Sequence, residues 1–207
     1  MKSSLETIVT NNGELVLDAI LTNGILKDIP VLSNLVGLLN FTNSVRDRIF
    51  YAKVKSFINE FEEMPPEDRE NLKRKVLLDG SEGRRIGEMV VLVLEQSNHL
   101  DKSALIAKLL IAFGEKSIDD ESLHRLSQAV NVAFFDDITD LLGPSIPDER
   151  CLKFLIASGL AERVDSPSGY GVSGRTTYRV SQLGSEFKNA IQKVSDMKAS
   201  WHRMGKP

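Results

Sequence analysis

The chain has 207 residues, 42% of them hydrophobic and 27% charged, with a formal net charge of −3. That balance excludes a disordered chain, and the length is enough to bury a core without metal or disulfide staples. The single cysteine, Cys151, excludes an internal disulfide and fits a reducing compartment.

The first residues, MKSSLETIVTNNGEL, lack the pattern of a secretory signal, and no run of 18 apolar residues is present. Glu14 to Leu21 reads as a short apolar helix that stops at Asn23-Gly24. Pro30 suits the first turn of a second helix, expected from Ile29 toward Phe61 and ended by Met64-Pro65-Pro66. Its first part, IPVLSNLVGLLNFTNSV (29–45), carries no charge. Seventeen helical residues span about 25 Å, against about 30 Å of bilayer hydrocarbon. Within it Ser33, Gly37, Asn40 and Ser44 recur at spacings of four, three and four, so they share one helical face. In an oligomer that face would line a pore or a helix interface, with the leucines turned to lipid. In a soluble bundle the same stretch would be a core helix. The second half, RDRIFYAKVKSFINEF, is amphipathic through Ile49, Phe50, Val54, Phe57, Ile58 and Phe61.

Pro66 to about Leu78 reads as a charged helix with acids in its first turn, as the macrodipole favours. Glu82 to Gln96 shows an apolar face of Ile86, Met89, Val90, Val93 and Leu94. Leu100 to Phe113 follows, with Gly114 as a stop, and Asp119 to Leu142 reads as one long helix closed by Gly143-Pro144. Beyond Pro147 the pattern changes. Arg150 to Gly159 is a short helix, Leu160 to Val164 a strand, DSPSGYGVSG a loop, Thr176 to Val180 a second strand, and Ser181 caps a final helix carrying Leu183, Phe187, Ile191 and Val194.

The phrases FLIASGLAERV and YRVSQLGSEFKNAI, in the order helix, strand, glycine-rich loop, strand, helix, resemble the wing region of winged-helix domains. The resemblance covers about 60 residues. It implies a DNA-binding or protein-contact module. The expected fold is therefore mainly α: a helical bundle followed by a winged-helix-like α+β module with a two-stranded hairpin. Three regions are expected: 1–61 as apolar helices for membrane or oligomer contact, 62–146 as an acidic bundle, and 147–207 as a basic module.

Charge supports the last division. Residues 149–207 hold ten Lys/Arg against five Asp/Glu, a charge of +5, so the remainder carries −8. The basic end invites an anionic ligand, a nucleotide or nucleic acid, through Arg150, Lys153, Arg163, Arg175 and Arg179, with Tyr170 placed to stack on a base. The alternative is a solvated basic surface.

No catalytic constellation is found. Gly169 to Gly174 matches GxGxxG but precedes a strand rather than a helix, and Gly83 and Gly87 lack the Lys-Ser or Lys-Thr pair of a phosphate loop. Asp136 and Asp140 share a helical face, which reads equally well as solvated surface. Cys151 has no histidine near it in sequence, and His99, His124 and His202 show no ligand spacing. No cofactor or metal is expected.

A second resemblance comes from LKDIPVLSNLVGLLN, RDRIF and KVKSFINEF, with GEMVVLVLEQSNHLDKSALIAKLLIAF and LHRLSQAV further on. These segments are similar to small helical bacterial proteins found near antiphage genes, over most of residues 20–142. The resemblance implies a defence effector acting at the membrane. The leading expectation is a cytoplasmic, inner-membrane-associated homo-oligomeric channel gated by an anionic ligand. A soluble winged-helix DNA-binding regulator and a non-catalytic protein-interaction module are the alternatives.

Overall fold

A computed structural model describes residues 45–62, 64–77, 82–165 and 176–204. Its elements are α1 (Val45–Asn59), α2 (Pro66–Leu77), α3 (Glu82–Gln96), α4 (Leu100–Gly114), α5 (Asp120–Val132), α6 (Phe135–Leu142), α7 (Glu149–Leu155), β1 (Ala161–Asp165), β2 (Thr176–Val180) and α8 (Gln182–Met204). The described part is mainly helical, with one two-stranded antiparallel sheet near its end. The expected helices over 1–44, with Ser33, Gly37, Asn40 and Ser44, lie outside the described residues.

Helix α4 is the hub. LDKSALIAKLLIAFG is apolar on nearly every side, so it must be surrounded. Eleven of its fifteen residues are buried, and α1, α2, α5 and α8 pack around it. The core they share runs without a break from Val54 in α1 to Trp201 in α8. Phe57 and Phe61 meet with ring centroids 5.3 Å apart, tilted as aromatic quadrupoles prefer. Helices α3 and α5 run side by side in the same direction. Arg85 bonds Asp120 and Asn131 bonds Gln96, both pairs 35 residues apart in sequence.

A helix ends with carbonyls that have no partner in the helix and with the negative pole of its macrodipole. Three lysines meet that need at three different ends. Lys53 of α1 donates to the Glu95 carbonyl in the last turn of α3, at 3.1 Å. Lys75 of α2 donates to the Phe113 carbonyl near the end of α4, and its ammonium lies 3.8 Å from the Phe113 ring centroid. Lys102 of α4 donates to the Asn131 carbonyl in the last turn of α5, at 3.0 Å. Lys102 is 1% exposed, so its four-carbon stem is core and its charge is spent on one helix end. Burial pulls the pKa of both Lys53 and Lys102 below the ordinary lysine value.

Three details of the expected helices change. Helix α1 ends at Asn59, before the prolines. Tight turns from Ile58 to Met64 follow, and they bury Phe61 and Met64. Ile49, expected on the core face, is 50% exposed, because α1 overshoots its neighbours at that end. The single helix expected over 119–142 is two. Ala133 and Phe134 are extended, with ψ of 150° and 142°. The apolar spacing fits a straight helix equally well, so periodicity does not reveal the break. What fixes it is tertiary: Lys102 closes α5 at Asn131, and the His99 ring stacks on Phe135 at 4.2 Å to start α6.

Candidate functional site

The short helix α7 begins at Asp148, whose carboxylate accepts the Cys151 N–H at 2.7 Å. Its chain stops at Gly159, whose φ of +77° is the left-handed conformation that suits glycine. Apolar Cys151, Leu152 and Leu155 turn inward, leaving Arg150, Lys153 and Phe154 exposed. The hairpin follows in a register that pairs Glu162 with Arg179 and Arg163 with Tyr178. Residues directly opposite share a face, so Arg163 and Arg179 point to opposite sides of the ribbon.

Of the six residues expected to bind an anion, Tyr170 and Arg175 lie outside the described residues. The other four are described, and three of them already meet a carboxylate. Lys153 contacts Glu149 at 2.8 Å, Arg163 contacts Asp165 at 2.8 Å, and Arg179 contacts Glu162 at 2.6 Å. Hydrogen bonding to those partners raises the pKa of Lys153 and of Arg163. Asp165 is held below the usual carboxylate range by the Thr176 hydroxyl first and by Arg163 second. Arg150 lies over the Phe154 ring, 5.8 Å from its centroid, and Lys153 lies 5.1 Å from that of Tyr178. The four cations thus do not form one continuous anion surface. Lys153 and Arg163 share the Tyr178 side, and Arg179 faces away.

The sequence contained the signals for two of these pairings. Glu149 and Lys153 stand four apart on a helix, and Arg163 and Asp165 stand two apart on a strand, so each pair shares a face. Phe154 is exposed on the same helix, an apolar surface feature that the charge pattern of α7 does not reveal.

Cys151 is buried, and its thiol donates to the Asp137 carbonyl at 3.5 Å. Burial, reinforced by Asp137, Asp140 and Asp148, pushes it up to about 11. At pH 8 roughly one molecule in a thousand carries the thiolate. Cys151 is therefore expected to resist iodoacetamide in the native protein at pH 8 and to react once denatured. Rapid native alkylation, followed by mass spectrometry, would contradict this. Burial, then Asp140 and Asp136, also raises Asp137, while Arg150 opposes the shift. Among the described residues no group of His, Cys, Asp and Glu could hold a metal ion.

A second surface lies at the end of the bundle where α1 begins. The elements meeting there are tied together by Arg46–Glu95 at 2.8 Å, Asn131–Gln96 at 3.0 Å, and the two lysine caps at Glu95 and Asn131. Five of the nine exposed large apolar residues among those described sit at this end: Val45, Ile49, Leu100, Val132 and Phe134. Val45, Arg48, Ile49, Ala52 and Leu100 line one shallow concavity. Among the described residues no helix is long and apolar enough to cross a membrane.

Comparison with protein-family descriptions, with curated proteins and with solved structures finds no match to this chain.

Proposed function

We propose that this chain is a non-catalytic helical effector that acts at a membrane through its uncharged stretch, residues 29–45. The bundle is its platform, and a winged-helix-like module at residues 147–207 is its regulatory arm. The single observation that carries the reading is the apolar bundle end. Val45, Ile49 and Leu100 stand open to solvent where the charge-free stretch joins the bundle. Contiguous exposed apolar surface marks a contact site in a soluble body, and here the chain itself delivers an uncharged segment to it. Several copies would place Ser33, Gly37, Asn40 and Ser44, which share one helical face by spacing, toward one another; the resemblance to defence proteins implies an effector acting at the membrane. The purified protein is expected to float with vesicles and release a trapped dye. A protein that stays with the aqueous fraction and leaves vesicles intact would overturn the reading.

The regulatory arm has its own alternatives. Pairing of Lys153, Arg163 and Arg179 with carboxylates lowers the charge they offer to a phosphate backbone. Exposed Ile146, Phe154 and Ile156 lie on or beside α7 and add apolar surface there. These features favour a protein contact, or a small anion held by Arg150, over a DNA reader. A duplex-DNA titration across a salt series separates them: tight, salt-steep binding at low salt would restore the DNA-binding alternative.

A further inference from the structure

We infer that the apolar bundle end is the resting dock of the chain's own uncharged stretch, residues 29–44. The segment would then be docked in most copies at rest, and the undocked fraction would give the basal membrane contact. The inference rests on the membrane reading for its purpose, and on separate observations for its geometry.

The surface has the right chemistry for one kind of occupant. Val45, Ile49, Leu100, Val132 and Phe134 give it exposed aliphatic and aromatic side chains, Arg46 and Glu95 at its edge are paired with each other, and among the residues lining the concavity only Arg48 is charged. A charged partner would find Arg48 as its one charged neighbour in the concavity, and any further ion set against Val45, Ile49 or Leu100 would lose its water without gaining a partner. An uncharged apolar partner loses nothing by covering them. The 17 residues from Ile29 to Val45 hold no charge and nine apolar side chains, and they join the bundle at the rim of this concavity.

Connection decides between occupants of similar chemistry. A segment joined to the rim of its own dock is present at an effective concentration of about millimolar or higher. A second copy or a lipid surface must arrive from solution and pay the cost of association. The residue types at the junction, Asn40, Thr42, Asn43 and Ser44, are ones that favour turns, so reversal toward Leu100 meets little sequence resistance. The bundle end also has a rigid frame. Lys53 and Lys102 tie the ends of α3 and α5, so the dock does not depend on the occupant for its shape.

The test uses the full chain with Cys151→Ala and two new thiols, Leu39→Cys and Leu100→Cys. At low protein concentration, mild oxidation is expected to join them within one chain, giving a faster-migrating monomer on a non-reducing gel. The control pair Leu39→Cys with Phe154→Cys is expected to stay unlinked. A disulfide formed only between chains would assign the surface to a second copy and overturn the inference, and so would two thiols that remain free. Each variant is melted first by circular dichroism, so a misfolded protein is recognised.

A second arm reads release. Ile49→Glu with Leu100→Glu, in the unmodified chain, alters two exposed positions and is expected to raise dye leakage from vesicles several-fold at unchanged helix content. Unchanged or lower leakage in a parent that does leak would overturn the inference. If neither parent nor variant leaks while the intrachain disulfide forms, the dock stands and the membrane reading falls.

Discussion

Alanine at Gly184 is expected to cost about 3 kcal/mol or more, lowering the melting temperature by about 6–12 °C. A Cβ built on Gly184 would lie 2.0 Å from the Leu160 carbonyl oxygen and 2.8 Å from a Val180 methyl. The first of these is backbone and cannot swing away. The carbonyl is also held, because it accepts the Ser181 N–H at 3.1 Å. The Ser181 hydroxyl in turn donates to the Gly159 carbonyl at 2.6 Å and accepts the Gly184 N–H at 2.9 Å. One serine therefore caps α8 and fastens it to the start of β1, and the closeness of that junction admits only glycine at position 184. Gly159→Ala provides the comparison. There φ is +77°, but the nearest side-chain atom is an ordinary 3.5 Å away, so the cost should be about 1–2 kcal/mol. Urea unfolding of the two variants side by side is the check. An equal or smaller loss for Gly184→Ala would show that β1 can back away from α8.

The second large effect is at Lys102. Lys102→Ala removes a buried stem and leaves the end of α5 uncapped, so a loss of about 3 kcal/mol is expected. Lys102→Met keeps most of the stem and removes the buried charge, so its loss should be smaller. The two differ most usefully in their pH dependence. Burial lowers the pKa of Lys102 in the folded state below its value of 10.5 in a model peptide. Between those two values the unfolded chain binds more protons than the folded one. Stability contributed by this group therefore rises as pH increases through that window. Lys102→Met lacks the rise, so the wild type should gain on it between pH 7 and pH 10. Subtracting the variant cancels the same trend from Lys53. A difference in urea midpoint that stays constant with pH would show that the ammonium is not desolvated in the folded protein.

The elements legible in the sequence are those whose signals are local. Pro66 followed by Glu67 and Asp68 announces α2, Ser181 announces α8, and TTYRV announces β2. Helix α3 was legible to the residue because its apolar face repeats cleanly and α3 sits on the outside of the core. The break between α5 and α6 was not legible, since Leu123, Leu126, Val130, Ile138 and Leu141 keep a helical rhythm across it. At the candidate site, the sequence located Arg150, Lys153, Arg163 and Arg179 and held the local spacings of the Lys153–Glu149 and Arg163–Asp165 pairs, but not the Arg179–Glu162 pair, which depends on strand register.

By itself, then, the chain's order of residues determined a mainly helical body, a hairpin near its end and a basic C-terminal stretch. Hydrophobic period and capping chemistry act over a few residues, and that is their reach. Tertiary packing alone decided that three lysines would serve as plugs for other helices, that Lys102 would be core, and that Val45, Ile49 and Leu100 would be left facing water. A charge is recruited to a carbonyl, and an apolar residue is stranded, by neighbours tens of residues away. The energy of each arrangement exists only once those neighbours are in place.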